Sequence, residues 1–491
     1  MHVNRRQFLR KSICAALGGA SVYSAFGSLR LMAAAANARP YSFTDYKALV
    51  CVFMYGGNDS FNTIVPVSGQ DRTDYVASRG GLALPAADLM PLMIAAGQGN
   101  GPDNYGLHPA MKSRVGTFDG DDVPGNAGLG NLFNTGKAAI VANVGSLLYP
   151  ITQAQYQNDS VATPPQLYSH DDQTNQWQTS RPDDSNADGW GGHVADLLHA
   201  ANSGQAPMSI TLGDNNRFQR GSIVNPYAMN PSGVSRMNYH DNGQDCWIGG
   251  CNDSEIAANT AAYNALIATG TQTNVLERAY ADATSRSIGN YRIISEALGD
   301  TPPTWSTPFQ DTDFGRQLQM VARLISVRSA LGMQRQVFFV SAGNFDTHSA
   351  QIDNQMQNLQ EMSQALRAFH DATTQMGIAD GVTAFTASDF GRSLAVNEDG
   401  TDHGWGAHHF VVGGAVRGQR FYGDMPSLAR YNDESPHGNP DDTGGGQIIP
   451  RIAVDQYSAT LARWFDVAEG DLSTLFPNLG RFGSSDLGFM M

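Results

Sequence analysis

Four apolar runs of strand length limit what this chain can become: Lys47 to Tyr55, Ala138 to Val144, Val337 to Val340 and Val382 to Ala387. Each is apolar at almost every position rather than at alternate ones, the pattern of a strand covered on both faces. Helical patterns lie between them; Met356, Leu359, Met362, Leu366 and Phe369, for instance, mark one face ahead of the fourth run. Strands alternating with helices predict an α/β fold, a three-layer αβα sandwich around a largely parallel central sheet. Shorter apolar runs at Met208 to Leu212 and Phe410 to Val412 read as further strands. Residues 252–334 carry helical periodicity throughout and read as a helical insertion in a single domain spanning 39–491.

The ends of these runs carry the chemistry, because open α/β sheets bind ligands beyond the carboxyl ends of their strands. The first run stops at Gly56-Gly57-Asn58-Asp59, and the third at a segment holding Asp346 and His348. The fourth stops at Ser388-Asp389-Phe390-Gly391-Arg392, before a loop with Asp402, His403, His408 and His409. Taken alone, Asp59 reads as the cap of the next turn, but three of the four run ends offer Asp or Asp with His. Carboxylates mixed with imidazoles suit zinc, manganese or iron, whereas carboxylates alone suit magnesium or calcium. Ser169 and His170 open a helix, where a hydroxyl can meet an anion or simply cap the first turn. Arg392 offers either a bidentate grip on an anionic oxygen or an ordinary ion pair.

The amino terminus, with Arg5-Arg6 ahead of a weakly apolar segment and small residues to Ala38, reads as a cleaved twin-arginine export signal over residues 1–38. The protein is therefore expected in the periplasm or outside the cell, delivered by the twin-arginine machinery and without a membrane span. Removing that segment leaves 26 basic against 46 acidic side chains, a net charge of −20. Such a surface argues against nucleic acid as a main partner. Cys246 and Cys251 are spaced for a small disulfide loop in an oxidising compartment, and Cys51 reads as a core thiol.

The segments GGNDSFN, GLHPA, ANVGSL, SHDDQTNQWQ, GWGGHVADLL, FDTHSAQ, SDFGRS, DHGWGAHHFVVGGAV and VDQYSATLARWF, in that order behind the twin-arginine start, resemble the bacterial family called domain of unknown function 1501. That family is grouped with the alkaline phosphatase and sulfatase clan. The resemblance implies an alkaline phosphatase-like fold and a metal-dependent hydrolase of phosphate or sulfate esters holding divalent ions such as zinc or manganese. It implies metal ligands at Asp59, Asp346, His348, Asp389 and His403, with His408 as the alternative to His403. Ser169 takes the nucleophile's place, with His170 beside it as ligand or base. The chain departs from the clan at Phe390, where a metal-binding His is expected. A catalytically degenerate exported scaffold, with a binding or surface-assembly role, is the competing expectation.

Overall fold

The computed structural model describes residues 41–95, 104–112, 128–234, 253–268, 270, 272–429 and 439–491. The expected signal segment and the expected Cys246–Cys251 disulfide lie outside the described residues.

The sheet contains β1 (Lys47–Met54), β2 (Ala138–Gly145), β3 (Ser209–Thr211), β4 (Tyr227–Ala228), β5 (Arg335–Ala342) and β6 (Val382–Ser388). A separate hairpin, β7 (Arg392–Asn397) with β8 (Gly400–His403), precedes β9 (Ala407–Gly413), β10 (Phe421–Tyr422) and β11 (Ile452–Ala453). The order across the sheet is β10-β2-β9-β6-β1-β5-β3-β4, with β11 also beside β2. Pairing is parallel throughout except at β9, which runs antiparallel to both β2 and β6. The fold is thus mixed α/β with a large, mostly parallel sheet.

Residues alternate between two cores along each strand. Val50, Val52, Phe338 and Val340 face the layer of helices α5 (Asp313–Ser326) and α6 (Gln351–Gln375). Leu49, Cys51, Phe53, Val337 and Phe339 face helices α2 (Trp190–Leu198) and α7 (Val454–Trp464). Covering both faces explains the unbroken apolar runs. Within the expected insertion, α3 (Asp253–Leu266) and α4 (Val275–Leu298) are largely exposed, whereas α5 buries Phe314, Leu318, Val321 and Ile325 in the core. Among the described residues no helix is long and apolar enough to cross a membrane.

His408 and His409 were expected on a loop, but both lie inside β9, fully buried. The His408 Nδ1 accepts the Asn143 N–H at 2.9 Å, and its ring meets Phe61 edge-on. His409 packs between Trp177 and Tyr457. Burial pushes both imidazoles down to about 3, with the neighbouring His408 depressing His409 further, and burial pushes His108 and His370 down to about 4. These four rings fold as neutral groups, so their stabilisation is complete above the unfolded value near 6.5 and is lost as the pH falls towards 3–4. Burial holds Asp455 up at about 8 and raises Asp442, and the bond to Asp389 raises His170; these three work in the opposite sense, against four buried rings with large downward shifts. The melting temperature should therefore fall by several degrees between pH 6.5 and 5, with each histidine contributing up to about 1.4 kcal/mol per pH unit. A flat melting profile across that interval would contradict neutral burial.

Candidate functional site

Four segments meet at the carboxyl end of the sheet: the start of helix α1 (His170–Thr179), the turn after β5, the end of β6 and the open end of the β7–β8 hairpin, where Arg392 pairs with His403. Asp346 is the hub. Its Oδ1 lies 3.1 Å from His348 Nε2, 3.3 Å from His403 Nε2 and 2.6 Å from an Arg392 N–H. The two ring nitrogens, His348 Nε2 and His403 Nε2, stand 3.0 Å apart. On the other side, Asp346 Oδ2 lies 3.5 Å from His170 Nε2. One ligand atom each from His170, Asp346 and His403 falls within a 4.8 Å span.

Each member is held from behind. Asp389, buried at the end of β6, places Oδ2 2.6 Å from His170 Nδ1 and accepts the Gly56 N–H with the same oxygen. His403 Nδ1 faces the Tyr168 carbonyl at 2.7 Å, and His348 Nδ1 faces Asp402 at 3.3 Å. Phe390 lies under the cluster, its ring 4.8 Å from His170 and 4.6 Å from His403. The two glycines after β1 make the approach possible. A Cβ on Gly56 (φ +114°) would stand 2.3 Å from the Asp346 nitrogen, and one on Gly57 (φ +83°) 2.5 Å from the Phe390 ring. Tyr168 (φ 71°) and Asn344 (φ 67°) hold left-handed backbone next to His170 and Asp346, a cost of order 1 kcal/mol each that clusters at ligand sites.

The electrostatics follow from these contacts. The hydrogen bond that Asp389 accepts raises His170 against the opposing effect of burial. Burial works to raise Asp346, but the Arg392 hydrogen bond and charge carry it below the usual carboxylate range. Burial lowers His403, with the His170 and Arg392 charges adding to it, leaving a neutral ring able to offer a lone pair.

The expected site residues divide. Asp346, His348, His403 and His170 converge, with Asp389 directly behind His170. Asp59 is elsewhere in role: it is buried, caps the short helix Ser60–Thr63 through the Phe61 and Asn62 N–H groups, and pairs with Arg79 and Gln351. His408 is locked in the sheet, as described above. Arg392 is fully buried and spends its donors on Asp346 and on Thr401 and Gly56 oxygens, so it braces Asp346 rather than reaching for an anion. Ser169 sits at the cap position of α1 but makes no capping bond; its hydroxyl donates to Asp172 Oδ2 at 2.6 Å. The bracing by Tyr168 and Gly56 escaped the sequence reading because both act through backbone atoms, which leave no residue-type signal.

The molecule is a mixed α/β protein that gathers one Asp and three His beyond its strand ends. The chain belongs to the family described as protein of unknown function (DUF1501), which matches residues 46–442. No curated protein matches the chain. Among solved structures it is similar to one described as Ps i-CgsB in complex with k-i-k-neocarrahexaose, with 8% identity, 90% of this chain and 77% of that chain covered, and a TM-score of 0.30.

Proposed function

We propose that the protein is an exported, metal-dependent hydrolase of phosphate or sulfate esters on an alkaline phosphatase-like scaffold. The observation that supports this is the triangle of Asp346 Oδ1, His348 Nε2 and His403 Nε2, with edges of 3.0, 3.1 and 3.3 Å. Tetrahedral zinc with ligand bonds of about 2.0–2.1 Å sets its ligands roughly 3.3 Å apart. The donor set of one carboxylate and two imidazoles therefore fits such an ion, with His170 Nε2 on the remaining side. A bound divalent cation would screen the charge of the ester group and activate the attacking hydroxyl or water.

The chain's own residues supply the rest. Arg392 keeps Asp346 ionised and fixed, and the Tyr168 carbonyl and Asp402 orient His403 and His348. Ser169 is the candidate nucleophile; attack requires its hydroxyl to leave Asp172, which is placed to accept its proton. The second reading, a catalytically degenerate scaffold, draws on Phe390, whose ring gives the cluster an apolar floor where the clan offers a ligand.

Metal analysis of protein purified from the exported fraction, followed by a panel of phosphate and sulfate monoesters, separates the two. The hydrolase reading expects close to one equivalent of zinc, manganese or iron and a turnover that chelation abolishes. Metal-free, inert protein that zinc does not restore would sink it.

A further inference from the structure

We propose that Asp389 is a positioning residue that holds His170 for the cation and does not bind the cation itself. This rests on the metal-site reading given above and assigns a distinct part within it. Asp389 is one of the most buried carboxylates near the cluster, 2% exposed. Its Oδ2 is anchored by the Gly56 N–H at 3.1 Å and meets His170 Nδ1 at 2.6 Å. A carboxylate can only accept, so Nδ1 carries the hydrogen, and Nε2 is the nitrogen left for a cation, which would displace any proton there. That nitrogen is the one directed at Asp346 Oδ2.

Two aromatic rings pack against His170. Phe390 lies across one side of its ring at 4.8 Å and 38°, and His403 meets it edge-on at 4.4 Å and 70°. Phe390 is itself pinned by Gly57, where even a methyl group would collide with the ring. In this chain the residue after Asp389 thus acts as a wall, and the carboxylate turns to His170. The remaining oxygen, Asp389 Oδ1, is buried and has no hydrogen-bond partner among the described residues. It is the one atom through which direct coordination would run, and that makes the two roles separable.

Asparagine at 389 can keep an oxygen in the place of Oδ2 for His170 and Gly56 while putting a non-coordinating NH2 in the place of Oδ1. Zinc affinity is read by competition titration, and cobalt is substituted so that its visible spectrum reports the ligand field. Loss of an orienting carboxylate typically costs 10–100-fold in metal affinity, so Asp389→Ala should weaken zinc binding by about that factor and alter the cobalt bands. Asp389→Asn keeps the orienting oxygen and loses only the charge, so it should lose clearly less affinity than His170→Ala and keep the cobalt band pattern of the parent. In a His170→Ala background, Asp389→Ala should add nothing, because the two act as one unit.

If Asp389→Asn loses as much affinity as His170→Ala, as a direct ligand would, the inference fails; this comparison stands even if Asp389→Ala does not fold. An additive loss in the double variant overturns it as well. A parent protein that binds zinc with Asp389→Ala indistinguishable from it overturns this inference alone. A parent protein that binds neither zinc nor cobalt overturns both this and the metal-site reading.

Discussion

Asp346→Asn is expected to abolish metal binding and ester hydrolysis together while leaving the fold intact. The substitution keeps the shape and one oxygen for Arg392 but removes the charge to which three histidines and a guanidinium are directed. In the parent, zinc at 100 times its Kd should raise stability by about 2.7 kcal/mol. In the variant that increment should vanish, and hydrolysis should fall at least about a thousandfold, because losing a group that touches the ion costs more than the 10–100-fold typical of losing one that only orients a ligand. The apo proteins should melt within a few degrees of each other, since the Asp346 side chain is 44% exposed and solvent screens much of its pairing with Arg392. Calorimetric melts with and without zinc make the comparison. An unchanged zinc-dependent shift in Asp346→Asn would remove Asp346 from the centre of the site.

Asp59→Ala should have the opposite profile, a large loss of stability with metal affinity intact. Both Asp59 and Arg79 have fully buried side chains, and Arg79 also donates to the carbonyls of Ser393 and Leu394 in strand β7 of the site hairpin. Burial, helped by the nearby Arg392 charge, lowers Arg79 to about 9, so the guanidinium depends on its carboxylate. Removing one partner of a buried pair costs about 3–5 kcal/mol because the other charge is left uncompensated. Loss of the cap on Ser60–Thr63 adds about 1 kcal/mol. Urea denaturation of the apo protein reads the loss, and zinc titration of the folded fraction reads the site. Should Asp59→Ala prove as stable as the parent yet unable to bind metal, Asp59 belongs to the ligand set after all.

Much of the sheet could be read directly from the chain. Strands β1, β2, β5 and β6 are buried on both faces, and that condition writes itself as uninterrupted apolar sequence. Strand β9 was only half legible, because His408 and His409 broke the apolar run although both rings are buried in the finished sheet. Strands β4, β10 and β11 have two residues each, too few for any periodicity to register. At the site, residue type and position marked Asp346, His348, His403 and His170, since each follows a strand or opens a helix. For Asp59 and Arg392 the local reading already offered a cap and an ion pair, which the structure has, and the resemblance that made Asp59 a metal ligand was the poorer guide. Their roles depend on what reaches them, and Arg79, Gln351 and Thr401 come from segments whose approach no local pattern encodes.

The place of β1 in the sheet has a consequence for how the molecule is made. It is the first strand of the described chain, yet its two neighbours are β5 and β6, with Lys47 beside Arg335 and Ala48 beside Val382. Nearly three hundred residues must leave the ribosome before either edge of that strand can be satisfied. Until then an apolar ribbon with both edges bare waits in a crowded cell, a species prone to mispairing that calls for a holding chaperone.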